Sequence, residues 1–217
     1  MKLIVFDLDG TLLNTLQDLT DSVNYAMDEL GLKPYSNEQV RMMIGNGVAK
    51  LMERAVERQS HAELKEEALR LQRLYYIGHS DVHTVPYDGI AEMLCELKRN
   101  GLIVTVHTNK DENAAKILCE KHFGSLIDYV CGTTNDGVTK PDPIKIKNLM
   151  SQLNVNAADT LYCGDSDVDI TTASNLGVRC ISVLWGFRDE NFLKTHGAKR
   201  FAKSPRDVVF IATANSY

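Results

Sequence analysis

Long hydrophobic runs are missing from this 217-residue chain. No stretch approaches the ~18 consecutive apolar residues that a membrane-spanning helix requires. The opening run Leu3-Ile4-Val5-Phe6 is cut off by Asp7 well before the length of a signal peptide. Excess positive charge is missing too. With 24 Lys and Arg against 29 Asp and Glu, the net charge is -5, so neither nucleic acid nor an anionic membrane, which attract a concentrated basic field, is expected as a partner. Cysteine is sparse and unpatterned: Cys95, Cys119, Cys131, Cys163 and Cys180 are odd in number, widely spaced, and form no Cys-x-x-Cys pair. A disulfide framework and a zinc site are therefore not expected, and the thiols read as reduced in a cytoplasmic protein. Cys163 reads as a small buried hydrophobe ending a strand.

What remains is ordinary globular composition, 44% hydrophobic and 24% charged, in a chain longer than the usual single domain and shorter than two. A core domain carrying a smaller insertion is the natural expectation. Short apolar runs, too short for helices, occur at Leu3 to Phe6, Leu102 to Val106, Ile127 to Cys131, Thr160 to Cys163 and Val178 to Val183. Helical spacing separates them, as at Ile90, Met93, Leu94 and Leu97. Strands alternating with helices imply parallel pairing and right-handed crossovers, hence an α/β fold with an open doubly wound parallel sheet and a Rossmann-like core.

About ninety residues lie between the first strand and the second, far more than one crossover helix needs. Leu16, Leu19, Val23, Met27 and Leu30 line one helix face that ends at Gly31. Ser36 with Gln39, and Ser60 with Glu63, have capping-box spacing and predict two further helix starts. Residues 15–82 are thus expected to form a small all-helical domain inserted in a core of residues 1–14 and 83–217, with hinges at 10–15 and 81–86.

The first strand ends in Asp7-Leu8-Asp9-Gly10-Thr11. Carboxylates at i and i+2 on an extended segment share a face, and ligands of open α/β sheets bind beyond the carboxyl ends of the strands. The bland alternative is an acidic turn capping a strand. Three more groups fall at later strand ends. Thr108 and Asn109 offer donors for phosphoryl oxygens, Lys140 in Lys140-Pro141-Asp142-Pro143 brings a fixed positive charge, and Gly164-Asp165-Ser166-Asp167-Val168-Asp169 brings more carboxylates. Converging acids need a cation, and magnesium, with its hard oxygen ligands and preference for one or two carboxylates, fits best. Asp7 and Asp165 are the expected carboxylate ligands and the Asp9 carbonyl a third, while Asp169 binds a metal-held water or orients Lys140. Asp167 reads as a solvated surface charge or a helix N-terminal residue.

Together these motifs resemble the haloacid dehalogenase-like phosphohydrolase superfamily, in the branch with a helical cap after the first strand. All four signatures occur in order: Asp7 to Thr11, Thr108-Asn109-Lys110, Lys140-Pro141, and Gly164 to Asp169. The resemblance implies a magnesium-dependent phosphatase acting on a small phosphorylated metabolite. It makes Asp7 the nucleophile, Asp9 the general acid and base, Thr108 and Lys140 stabilisers of the phosphoryl group, and Asp165 a metal ligand. Ile44-Gly45-Asn46-Gly47, Leu51 to Ala55 and Trp185 to Arg188 are similar to segments of bacterial phosphoglycolate phosphatases, which implies Gly45, Asn46, Lys50 and Arg54 as contacts to a substrate carboxylate. The bland alternatives are a helix-to-helix turn and a solvated helix face. Asn14 and His107 depart from the family pattern and read as a helix cap and a satisfied core or rim histidine. Pyrophosphatase, sugar-phosphate phosphatase and phosphosugar mutase stay open within the architecture. So do a phospho-aspartate receiver and a phosphate-ligand binding protein outside it, and monomer or homodimer as the assembly.

Overall fold

β1 (Leu3–Phe6) is four apolar residues with both faces covered. Ile4 and Phe6 point into one apolar layer, Leu3 and Val5 into another, the pattern of a central strand that meets no water. A computed structural model describes residues 1–214, and the chain divides into two compact units. One is Met1–Leu13 with the chain from Pro86 onward, the other Asn14–Val85.

The second unit follows β2 (Leu13–Asn14) and is helical: α1 (Leu16–Glu29), α2 (Asn37–Met43), α3 (Val48–Glu57) and α4 (Lys65–His79). Its own core is built from Val23 and Met27 of α1, Val40 and Met43 of α2, Leu51, Met52 and Ala55 of α3, and Ala68 and Leu71 of α4. Asn14 Oδ1 accepts from Leu16 N at 3.3 Å, at the start of α1. The Ser36–Gln39 capping box forms in both directions, with Ser36 N donating to Gln39 Oε1 at 2.8 Å and Gln39 N to Ser36 Oγ at 3.3 Å. The Ser60–Glu63 box does not form. Ser60 instead takes φ +64° and closes α3 from behind, with Ser60 N donating to Glu57 O and His61 N to Val56 O. A 3-10 turn at Ala62–Leu64 leads directly into α4 at Lys65, so the helix start that the spacing predicts lies there, but headed by His61 rather than by Ser60, which caps the end of α3.

Asp18 is the unforeseen residue of this unit. Its carboxylate is buried and accepts from Val82 N at 3.1 Å, His83 N at 2.9 Å, Thr84 N at 2.9 Å and Thr84 Oγ1 at 2.7 Å. It therefore ties the segment after α4 back to α1. Asp21 and His83 bring further potential cation ligands within 4.8 Å of it, but its oxygens are already filled by N–H and O–H donors, which makes it an anchor.

β3 (Val85–Pro86) pairs with β2 as a two-stranded ribbon. The first unit then runs α5 (Ile90–Arg99), β4 (Ile103–Asp111), α6 (Glu112–Phe123), β5 (Tyr129–Thr133), α7 (Ile144–Gln152), β6 (Thr160–Gly164), α8 (Asp167–Leu176), β7 (Arg179–Val183), α9 (Glu190–Thr195), β8 (Phe201–Ala202) and α10 (Pro205–Thr213). The six-stranded sheet has the order β5-β4-β1-β6-β7-β8, and all its pairings are parallel. α5, α6 and α10 cover the Ile4 and Phe6 face, while α7 and α8 cover the other. The fold is the doubly wound α/β sheet that the alternation of runs predicts. β4 extends past Val106 to Asp111, so Thr108 lies within a strand rather than beyond it, and β5 begins two residues later than the apolar run does. Among the described residues no helix is long and apolar enough to cross a membrane.

Candidate active site

Topology places the site. The chain winds outward from β1 through β4 to β5, returns to β6 beside β1, and winds outward again to β8. The reversal between β1 and β6 opens a crevice beyond the carboxyl ends of those strands. Asp7 directly follows β1 and Asp165 directly follows β6. Because Phe6 stands opposite Cys163, register alone delivers both carboxylates to the crevice.

Asp7 is nearly enclosed. Its Oδ1 accepts from Leu8 N at 2.7 Å and lies 2.7 Å from Lys140 Nζ, so both donors hold one oxygen and Oδ2 bears neither. Lys140 Nζ lies 2.8 Å from Asp169 Oδ1 as well. Asp169 serves two elements at once, since its Oδ2 accepts from Ser166 Oγ at 2.7 Å and Ser166 N at 3.1 Å in the capping box of α8. The expectation that Asp169 orients Lys140 matches this geometry, and Asp167 is the first residue of α8.

The oxygens of Asp7, Asp165 and Asp169 come within 4.8 Å of one another. Three buried carboxylates face the Lys140 ammonium, with the buried Arg188 adding its attraction for Asp165, so acids outnumber cations. The electrostatics register this. Burial, then Asp169, push Asp7 well above the usual carboxylate range, against the opposing pull of Lys140. Burial and then Asp169 push Asp165 up to about 7. Burial opposes the charge on Lys140, but Asp169 and Asp7 outweigh it and raise its pKa. An all-oxygen donor set with this charge deficit fits a divalent cation.

Asp165 is aimed by its surroundings. Phe187 N donates to Oδ2 at 2.6 Å. Gly10, at φ +86°, passes so close that a Cβ there would meet Asp165 Oδ2 at 2.4 Å. A Cβ on Gly186 would meet Asp165 Cβ at 2.3 Å and the Gly10 carbonyl oxygen at 2.4 Å. Backbone thus fills the space behind this carboxylate, and Gly186→Ala must displace it. The expected result is divalent-cation affinity reduced about 10- to 100-fold, the scale of lost outer-shell support, with the far-UV circular dichroism unchanged. Titration calorimetry with the cation reads it, and wild-type affinity in the variant would contradict it.

Thr108 is buried, and its Oγ1 accepts from Lys110 N at 3.2 Å. The Asn109 side chain engages its oxygen and one of its two N–H groups within the protein. It brackets the Lys140 backbone, accepting from Lys140 N at 2.6 Å and donating to Lys140 O at 3.2 Å, so it places the lysine whose peptide bond to Pro141 is cis. His107 is buried beside Tyr162, Nδ1 lying 3.1 Å from the hydroxyl. Burial, followed by Lys140 and Lys145, lowers its pKa to about 3, so it is a neutral core residue. Asp9 meets Lys110 Nζ at 3.1 Å, a pairing that no sequence spacing announces.

The helical unit revises the remaining expectations. Arg54 Nη1 donates to Met43 O at 2.7 Å and Gly45 O at 3.2 Å, and Nη2 donates to Asn46 Oδ1 at 2.9 Å. Its guanidinium braces the loop containing Gly45 and Asn46, which the left-handed Asn46 at φ +62° turns. Lys50 pairs with Glu53 at 2.5 Å. Both cations have partners within their own unit.

The sequence profile of haloacid dehalogenase-like hydrolases matches residues 4–183. Phosphoglycolate phosphatase 1 of Pseudomonas aeruginosa is 34% identical over 193 residues, covering 86% of this chain and 70% of that protein. Phosphoglycolate phosphatase of Aquifex aeolicus is 31% identical over 188 residues, covering 86% of each. A crystal structure from Lactobacillus delbrueckii subsp. bulgaricus superposes with a TM-score of 0.94 at 28% identity, covering 99% of both chains.

Proposed function

The chain belongs to the haloacid dehalogenase-like hydrolase family, and we propose that it is a magnesium-dependent phosphatase that hydrolyses phosphoglycolate through a phosphorylated Asp7. The observation that carries this reading is the Lys140 ammonium set 2.7 Å from Asp7 Oδ1 and 2.8 Å from Asp169 Oδ1 at the reversal point of the sheet. It fixes one oxygen of a buried carboxylate and leaves the other for phosphorus.

Asp7, Asp165 and the Asp9 carbonyl would hold the magnesium ion, which when bound neutralises carboxylate charge and polarises the phosphoryl oxygens. Asp7 Oδ2 attacks phosphorus and the bond to the ester oxygen breaks. Asp9 gives its proton to the departing alkoxide. Water then attacks the phosphorus of the acyl phosphate while Asp9 takes its proton, and the bond to Asp7 breaks to release inorganic phosphate. Lys140 and the Thr108 hydroxyl donate to phosphoryl oxygens as charge spreads onto them.

Phosphoglycolate enters because the curated relatives carry that name. In the helical unit, Asn46 and the backbone of Gly45 are the candidates for the substrate carboxylate, with Arg54 holding the loop that presents them. The test is phosphate release from phosphoglycolate, pyrophosphate, nucleotides and sugar phosphates, each with magnesium and with chelator. Fastest turnover of phosphoglycolate, lost in chelator, is expected. A higher kcat/KM on pyrophosphate or a sugar phosphate would reassign the substrate. A flat panel with a phospho-aspartate lasting minutes would replace the enzyme with a receiver.

A further inference from the structure

Lys110 takes no part in the chemistry above. It lies in β4 two residues beyond Thr108, and its side chain is only 6% exposed, although a lysine keeps its ammonium in water unless something holds it inside. What lies beside it is Asp9: Nζ is 3.1 Å from Oδ1. That oxygen is buried and no aligned hydrogen bond reaches it, so the attraction is coulombic in geometry. The two backbones are fixed independently. Lys110 N donates to Thr108 Oγ1 at 3.2 Å, while Gly10 N donates to Leu13 O at 2.8 Å and Leu12 N and Leu13 N both donate to Leu8 O at 3.0 Å. The torsions of the Asp9 side chain are what the turn leaves undetermined.

A general acid must come within about 2.6–3.2 Å of the atom it protonates, and a displacement of about 1 Å costs on the order of 10²-fold in rate. We infer that Lys110 is the positioning residue for Asp9: it captures Oδ1 and so presents Oδ2 to the ester oxygen. The inference rests on the reading of Asp9 as acid and base. In the first step the proton on Oδ2 passes to the ester oxygen as its bond to phosphorus breaks. In the second, Oδ2 takes a proton from water as the water oxygen bonds to phosphorus and the bond to Asp7 breaks. Lys110 itself exchanges nothing. The competing role for a buried cation here is to bind the carboxylate of the substrate, and chemistry separates the two.

The experiment compares kcat/KM, which reports the first step, on phosphoglycolate, p-nitrophenyl phosphate and 4-carboxyphenyl phosphate. An alkoxide leaving group needs the acid, whereas the nitrophenolate does not. Lys110→Met is expected to lower kcat/KM on phosphoglycolate by about 10²-fold and on both aryl esters by less than about fivefold, with Lys110→Arg recovering most of the loss. Circular dichroism checks both variants for folding. Equal losses on all three substrates would mean a merely structural lysine. A loss on 4-carboxyphenyl phosphate as large as on phosphoglycolate would mean a substrate-binding one. Either result overturns the inference. Asp9→Asn, run in parallel, must show the same alkyl-against-aryl split. If it does not, the acid assignment fails and the inference with it. If it does and Lys110→Met does not, only the inference fails.

Discussion

Asp7→Asn is expected to reduce phosphate release by at least about 10⁴-fold, the scale on which removal of a covalent nucleophile acts, and to leave the fold standing. Asparagine has nearly the shape of aspartate, so no cavity opens at the end of β1. Lys140 keeps its 2.8 Å contact to Asp169 Oδ1, so its buried charge is not stranded. Removing one of three clustered carboxylates also relieves repulsion, since Asp169 is the first charge to push Asp7 upward after burial itself. The unfolding midpoint in chelator should therefore equal or exceed that of wild type. Phosphate release and thermal melts measure the two halves, and a variant turning over at the wild-type rate would end the nucleophile assignment.

The parts of this site that sequence reveals are those set by local spacing and by strand ends. Asp7 and Asp9 are legible because an apolar strand stops at them, and Asp165 because Thr160 to Cys163 is buried up to its neighbour Gly164. The capping pair Ser36 and Gln39 is legible for the same local reason. What spacing cannot carry is a contact between distant loops. Asn109 also brackets the backbone of Lys140, 31 residues away, which no spacing announces. Lys110 reads only as the last residue of a motif until β4 lies beside β1 and sets it against Asp9. The Phe187 N–H on Asp165 spans 22 residues, and the sequence marks it only by Gly186, whose close approach shows once the chains are packed. Arg54 has a role that its charge does not announce, since its guanidinium holds the carbonyls of its own loop. Ser60 shows the limit of local reading as well, because a serine can close the helix behind it as readily as open the one ahead.

The excess of acid in the crevice has a second measurable result: without metal, the protein should lose stability as pH climbs toward about 7, and divalent cation should remove that loss. The folded-state pKa of Asp165 is raised from 3.8 to about 7, and that of Asp7 is raised further than its ordinary range. A raised folded pKa means the native state binds the proton more tightly than the unfolded chain does. The resulting stability is complete below the unfolded value and disappears as pH climbs through the folded one, at up to ~1.4 kcal/mol per pH unit for each carboxyl still protonated in the fold. His107 acts with the opposite sign, because burial lowers it from 6.5 to about 3. Its stabilising contribution is present above 6.5 and lost as pH falls toward 3, so it offsets one carboxyl below pH 6.5 and nothing above. Glu38, Glu67 and Asp207 are shifted down by Arg41, Arg70 and the Ser204 backbone respectively, which keeps their titration below this window. Cys119 and Cys180, pushed by burial up to about 12, differ from the unfolded chain only above it. Urea melts in chelator should therefore show a midpoint that falls as pH climbs to about 7, more steeply above 6.5 where His107 no longer offsets it, and magnesium should raise the midpoint more at pH 8 than at pH 6. Equal stabilisation by magnesium at both pH values would mean that the clustered carboxylates are not where the ion binds.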